Sequence, residues 1–354
     1  MNTIYYSNCP VPNAFLIAVK RFGQSFARAG LSFQLLPASL SAAHFSFDLP
    51  RYSRFGGEIP PLLAEGLRTP GATRLIGLTP CRTRQGFLVR RDDAISSVAA
   101  LAGRRIGITP NGRAMLQAGS AAGFDGDAWE STQRALGTWE ARALLNILRR
   151  AGLRLDQVEL LEVPNPWAAH RREVAEGAAS FAPKDLFPDA TGPDGNPQVR
   201  ALVERRVDAV FSFLPYVAQT ELRGFGRLIE DLGADSANDY VSAWTISSEL
   251  SAQRPDLVQV AVDVVVEAAH WAADHPDEVA SLHAENFGVS EEAVWMALGR
   301  DFHRHLVPRL DAECLSILDR TQSFLVSRGV IPDAITLANW AEPQFLLNAT
   351  RSDL

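Results

Sequence analysis

The stretch Asn13 to Leu35, NAFLIAVKRFGQSFARAGLSFQL, decides the fold. Phe15, Leu16, Val19, Phe22 and Phe26 recur at the spacing that lines one face of a helix, which predicts a helix over Asn13 to Ala29. Gly30 ends it, and Leu31 to Leu35 alternates apolar and polar side chains as a strand does. A short apolar strand around Tyr5 and Tyr6 comes first. Strand, helix and strand in succession require a crossover, so a parallel sheet is expected.

Between that first strand and the helix lies Ser7-Asn8-Cys9-Pro10-Val11-Pro12. Both prolines fix φ, and Pro12 suits a first helical turn because its missing N–H would find no intrahelical partner there. Cys9 therefore sits on stiff backbone. A free cysteine commonly serves as a small buried hydrophobe, whereas a reactive thiol needs electropositive, partly open surroundings. Both readings stand on this stretch alone.

Farther along, Thr73 to Leu78 and Gly86 to Arg90 read as strands, and Leu101 to Ile108 opens a second α/β unit. Trp139 to Ala151 is an amphipathic helix stopped by Gly152, followed by a strand over Val158 to Val163. Val207 to Phe213 reads as a buried strand, Val241 to Ile246 as one that returns the chain to the first unit, and Val258 to Ala273 as an apolar helix. Helices alternating with strands in two blocks give an α/β protein of two doubly wound lobes with a central cleft, ligand binding at the carboxyl ends of the strands. Residues 1–92 with 236–354 form the first expected lobe, and 93–235 the second. Within the second, the proline-rich excursion 164–197, with Trp167, Phe181 and Phe187 as apolar anchors, reads either as a lid or as an inert packed insertion.

At 354 residues, 47% apolar and 21% charged, the chain suits two globular domains. Lys+Arg 34 against Asp+Glu 41 gives net −7, which argues against a nucleic-acid or membrane partner yet leaves room for a local basic pocket holding a small anion. The three cysteines, Cys9, Cys81 and Cys314, are scattered and odd in number, so neither a disulfide framework nor a zinc site is indicated and a reducing cytoplasm is expected. No leader pattern and no run of about eighteen apolar residues occurs, so neither export nor a membrane span is expected. His303 and His305 would point to different helix faces, and no HExxH, GxSxG, Walker loop or dinucleotide fingerprint is present. No metal and no cofactor are expected.

Arg54-Phe55-Gly56-Gly57 offers another reading. The glycine pair permits positive φ and close approach of backbone N–H groups to one anion, and the arginine fork matches two oxygens. The plain alternative is a tight turn beside a solvated arginine. His44 is a further neighbour to weigh beside Cys9.

Tyr6 to Ala14 (YSNCPVPNA), His44-Phe45, Arg54 to Leu63 (RFGGEIPPLL) and Gly137 to Leu145 (GTWEARALL) resemble the 2′-hydroxybiphenyl-2-sulfinate desulfinases, from about Tyr5 to Asn348. Beneath this lies a broader likeness to type II periplasmic-binding-protein domains, which implies two lobes with ligand in the cleft. The resemblance implies hydrolysis of 2′-hydroxybiphenyl-2-sulfinate to 2-hydroxybiphenyl and sulfite, the last step of dibenzothiophene desulfurisation. It implies a catalytic Cys9 and His44, a sulfinate-binding Arg54, the Gly57 N–H as a donor, and an aromatic pocket of Phe45, Trp139 and Phe187. Cys9 would either give its proton to the ring carbon or attack sulfur as a thiolate. A rival on the same fold is a non-catalytic solute-binding protein for aromatic sulfonates or sulfinates; a thiamine-pyrimidine synthase would need a cysteine-rich motif that is missing. A monomer acting on a small aryl sulfinate is expected.

Overall fold

The computed structural model of the chain describes residues 2–40, 42–117, 124, 126–165 and 190–351. Most of the excursion at 164–197, with Trp167, Phe181 and Phe187, lies outside the described residues.

Among the described residues ten strands form two five-stranded sheets. They are β1 (Asn2–Asn8), β2 (Leu31–Leu35), β3 (Tyr52–Gly57), β4 (Thr73–Cys81), β5 (Gln85–Val89), β6 (Arg105–Ile108), β7 (Glu159–Glu162), β8 (Ala209–Phe213), β9 (Arg227–Leu228) and β10 (Tyr240–Ser247). The first sheet runs β2-β1-β3-β10-β4 and the second β7-β6-β8-β5-β9. β1 pairs in parallel with β2 and β3, as the crossover requires, but β10 lies antiparallel to both β3 and β4. The sheet is therefore mixed: the strand returning from the second unit runs in the reverse direction and fills the gap between β3 and β4. β5 pairs with β8 and β9, so the chain changes sheets between β4 and β5.

The single helix expected over Asn13 to Ala29 is two, α1 (Ala14–Arg21) and α2 (Gly23–Arg28). Breaking at Phe22 lets that ring meet Trp271 at 6.1 Å while Phe26 turns onto Phe33 at 4.9 Å. Asn13 caps α1, its Oδ1 accepting from the Leu16 N–H at 2.9 Å, a contact worth about 1 kcal/mol. Its own N–H donates to His283 Nε2 at 3.4 Å, and His283 Nδ1–H donates to the Val279 carbonyl at 2.8 Å. The segment after Cys9 is thus tied to the helix Pro276–Phe287.

The later elements that frame the site are α3 (Ala43–Ser46), α4 (Ile59–Leu63), α5 (Pro110–Gln117), α6 (Ala128–Ala135) and α7 (Thr138–Arg150). A single apolar cluster joins Ile59, Leu62 and Leu75 of the first unit to Met115, Ala141 and Ile317. The second sheet has its own cluster around Phe87, Ile106 and Phe211, and Trp139 packs against both.

Burial pushes the His283 imidazole down to about 4. Its folded value lies below the unfolded one, so its contribution to stability is whole above about pH 6.5 and fades as pH falls toward 4, where the unfolded chain binds the proton first. His283→Gln keeps an acceptor and a donor without titrating. The drop in thermal midpoint between about pH 7 and about pH 5 is expected to be smaller in this variant than in the wild type; an equal drop would show that His283 does not carry the pH term.

Candidate functional site

The register of the first sheet assembles the site. Ser7 of β1 lies opposite Arg54 of β3, and the Cys9 N–H donates to the Phe55 carbonyl at 3.2 Å, carrying the pairing one step beyond β1. Side chains alternate along a strand, so Ser7 and Cys9 share a face. Cys9 is half-buried, whereas Cys81 and Cys314 are buried.

Arg54 is 2% exposed. Its Nη1 donates to the Gly57 carbonyl at 2.8 Å and its Nη2 to Cys9 Sγ at 3.2 Å. Among the described residues no carboxylate pairs with it, and its Nε has no hydrogen-bond partner. A buried guanidinium in this condition is costly unless an anion arrives. Gly57 thus meets the arginine through its carbonyl.

Gly56 and Gly57 are not a turn of positive φ. Both belong to β3, and neither has a left-handed backbone. Their smallness is needed for another reason: a Cβ on Gly56 would sit 2.4 Å from Cys9 Sγ, and one on Gly57 would sit 2.9 Å from Trp139 Cζ2. The bare backbone makes room for the thiol on one residue and the indole on the next.

His44 lies on α3, 4% exposed, with Nε2 3.7 Å from Cys9 Sγ and Nδ1 2.7 Å from Ser7 Oγ. Ser7 Oγ in turn bonds the Tyr52 hydroxyl. Burial, and then the charge of Arg54, hold the imidazole well below its usual range, so it is neutral. Burial likewise raises the Tyr52 hydroxyl far above its ordinary value. No carboxylate stands behind His44 in this chain of contacts; two hydroxyls do.

Of the aromatic residues expected at the pocket, Trp139 stands against Gly57 and packs near Phe213 at 5.7 Å and Tyr240 at 6.0 Å. Phe45, 3% exposed, lies edge-on to the His44 ring at 4.6 Å and to Trp129 at 4.8 Å. Phe187 lies outside the described residues. Trp139 Nε1 donates to Glu58 Oε1 at 3.4 Å, which also accepts from Thr321 Oγ1 at 3.1 Å. Burial raises the Glu58 carboxyl above its usual range. Trp139 also borders a cavity of about 60 Å³ together with Thr109, Gly137, Glu140, Gln198 and Phe213. There the Glu140 carboxylate accepts from the Thr109 N–H at 3.1 Å, closing the start of α5 with a group of the protein's own.

Ser7, Tyr52 and Glu58 escape a reading by motif alone. Ser7 had a signal, its two-residue offset from Cys9 on a strand; Tyr52 and Glu58 had none short of the sheet register. No group of three or more His, Cys, Asp or Glu among the described residues is arranged to hold a metal ion. A thiol that can receive or give a proton, a neutral imidazole beside it and an unpaired buried cation suit proton transfer or nucleophilic attack on a bound anion.

No family model matches the chain. The 2′-hydroxybiphenyl-2-sulfinate desulfinase of Rhodococcus erythropolis is 45% identical over 348 residues, 98% of this chain and 93% of the relative. A crystal structure of a Cys-to-Ser variant of the desulfurization enzyme DszB in complex with biphenyl-2-sulfinic acid matches with TM-score 0.93 at 45% identity, covering 99% of each chain. The periplasmic sulfonate-binding protein SsuA of Methylobacillus flagellatus matches with TM-score 0.66 at 14% identity, covering 99% of this chain and 94% of that one, a likeness of fold alone.

Proposed function

The chain belongs to the 2′-hydroxybiphenyl-2-sulfinate desulfinase family, and on that premise we propose that it hydrolyses 2′-hydroxybiphenyl-2-sulfinate to 2-hydroxybiphenyl and sulfite, the last step of dibenzothiophene desulfurisation, with Cys9, His44 and Arg54 as its reacting and binding groups. The observation that carries these roles is the state of Arg54: buried, without a carboxylate among the described residues, one N–H unpartnered and another resting on the Cys9 sulfur. An aryl sulfinate supplies what this guanidinium lacks, two oxygens bearing one negative charge. Binding it there brings sulfur and the ring carbon beside the thiol.

The step is written as proton transfer. The Cys9 S–H bond breaks, its proton goes to the ring carbon bearing sulfur, the carbon–sulfur electron pair forms the new carbon–hydrogen bond, and sulfur dioxide leaves. Water hydrates the sulfur dioxide to bisulfite and a proton, which restores the thiol. Neutral His44 supports this order, because burial and Arg54 disfavour the imidazolium that early loss of the thiol proton would create. Arg54 Nη2 already donates to the sulfur and can stabilise the thiolate left after donation. In the nucleophilic alternative Cys9 would hold sulfur dioxide covalently before water releases it.

Phe45, Trp139 and Phe187 flank the aryl rings in this reading, Phe187 from outside the described residues. The lobe built on the first sheet carries the reacting groups and the second closes the cleft over them. A monomer in a reducing cytoplasm suits three free thiols, and among the described residues no helix is long and apolar enough to cross a membrane.

Cys9→Ser is expected to bind the sulfinate with an affinity near that of the wild type and to release no sulfite; substantial sulfite release would remove Cys9 from the reaction, and tight binding without turnover in the wild type would favour a binding protein instead. Intact-mass analysis of enzyme quenched during turnover should show unmodified Cys9. A population heavier by one sulfur dioxide would replace proton donation with nucleophilic attack. Gly56→Ala places a methyl group where Cys9 Sγ now lies, so its turnover is expected to fall by about 100-fold or more with the fold retained by circular dichroism; activity near wild type would mean the close approach is dispensable.

A further inference from the structure

His44 rides on a helix that cannot hold itself. α3 has only four residues, its first turn has no side-chain cap, and it ends at Phe47 with φ 57, a left-handed value unfavourable for a bulky side chain. Something outside must fix it, and the contacts identify what does. Directly after α4 the chain makes one π-helical turn, Ala64–Arg68, a rare geometry that often accompanies functional sites. Arg68 leaves that turn with its Nη2 donating to the Phe45 carbonyl at 3.0 Å and to Thr132 Oγ1 at 2.8 Å, while Nη1 donates to Ser131 Oγ at 2.9 Å. Ser131 and Thr132 belong to α6 and are buried. One guanidinium therefore pins the backbone next to His44 against a helix that also presents Trp129 to the Phe45 ring.

We infer that Arg68 is a positioning residue for the reaction: by clamping the Phe45 carbonyl to α6 it keeps the His44 imidazole at hydrogen-bonding reach of the Cys9 thiol. The inference rests on the role proposed above for His44. Arg68 touches neither Cys9 nor Arg54 by any hydrogen bond of the described residues, so its effect must travel through α3. Its planar fork suits the task, since three acceptors on two elements are met by two nitrogens in a fixed geometry. A lysine could reach one of them.

The test is a double-mutant cycle on sulfite release. Arg68→Met is expected to lower kcat by about tenfold or more, because a small displacement of a reacting group is costly, and to leave KM for the sulfinate within about twofold, because Arg54 is untouched. Arg68→Lys should recover part of the loss. In a His44→Gln background, adding Arg68→Met should lower kcat no further. Losses that multiply would overturn the inference while leaving the role of His44 intact, and a His44→Gln enzyme as fast as wild type would overturn both. Should Arg68→Met fail to fold, the cycle is read on Ser131→Ala with Thr132→Val, which frees the far end of the clamp: a several-fold fall in kcat that vanishes in His44→Gln supports the inference, and a fall that persists there refutes it.

Discussion

The structure depends on a buried cation that no carboxylate among the described residues neutralises. Arg54 lies on the central strand β3, almost wholly out of water, with a backbone carbonyl and a thiol as its acceptors. Burying a guanidinium this way is unfavourable by several kcal/mol in the absence of a counter-charge, and the surrounding architecture keeps it from escaping. β10 covers one side of β3 and β1 the other. Gly56 gives up a side chain so that the Cys9 sulfur can lie against the arginine, and Gly57 gives up another to the Trp139 indole. The Gly-Gly pair, the thiol and the aromatic wall all follow from keeping one unpaired positive charge in a fixed place.

Around that charge the histidines are kept neutral. His44 has hydroxyls behind it where a carboxylate would have favoured its protonated form, and His283 spends one nitrogen on the Val279 carbonyl and the other on the N–H of Asn13. With the imidazole uncharged, Arg54 is the cation that the described residues place against the Cys9 sulfur.

Much of this was legible in the residues, because local signals and tertiary demands agree there. The periodicity from Phe15 to Phe26 and the alternation of Leu31 to Leu35 give the crossover unit, and the segment around Cys9 together with Arg54 to Leu63 marks the groups that the sheet register brings together. Three things were not legible for identifiable reasons. Glycines at 56 and 57 suggest a turn, since freedom in φ is their commonest use; their use here, clearance for a sulfur and an indole, exists only once two strands and a helix are in contact. Phe45 beside His44 suggests a lining ring; that its ring also meets Trp129 depends on α6 packing against α3, which no local pattern encodes. The antiparallel entry of β10 depends on how a strand nearly two hundred residues later returns, which local patterns do not encode.

The tie between Asn13 and His283 has a consequence for how the protein is made. The backbone around Cys9 is completed by a residue 270 positions downstream, and the strand that carries Arg54 is flanked by β10, which begins at Tyr240. During synthesis the N-terminal segment leaves the ribosome long before either arrives. Contacts so distant along the chain form late, so a nascent or truncated chain carries Cys9 without its arginine fixed beside it. The thiol meets the guanidinium only in a molecule that is nearly whole, and an unfinished chain has a cysteine without that neighbour at the same place.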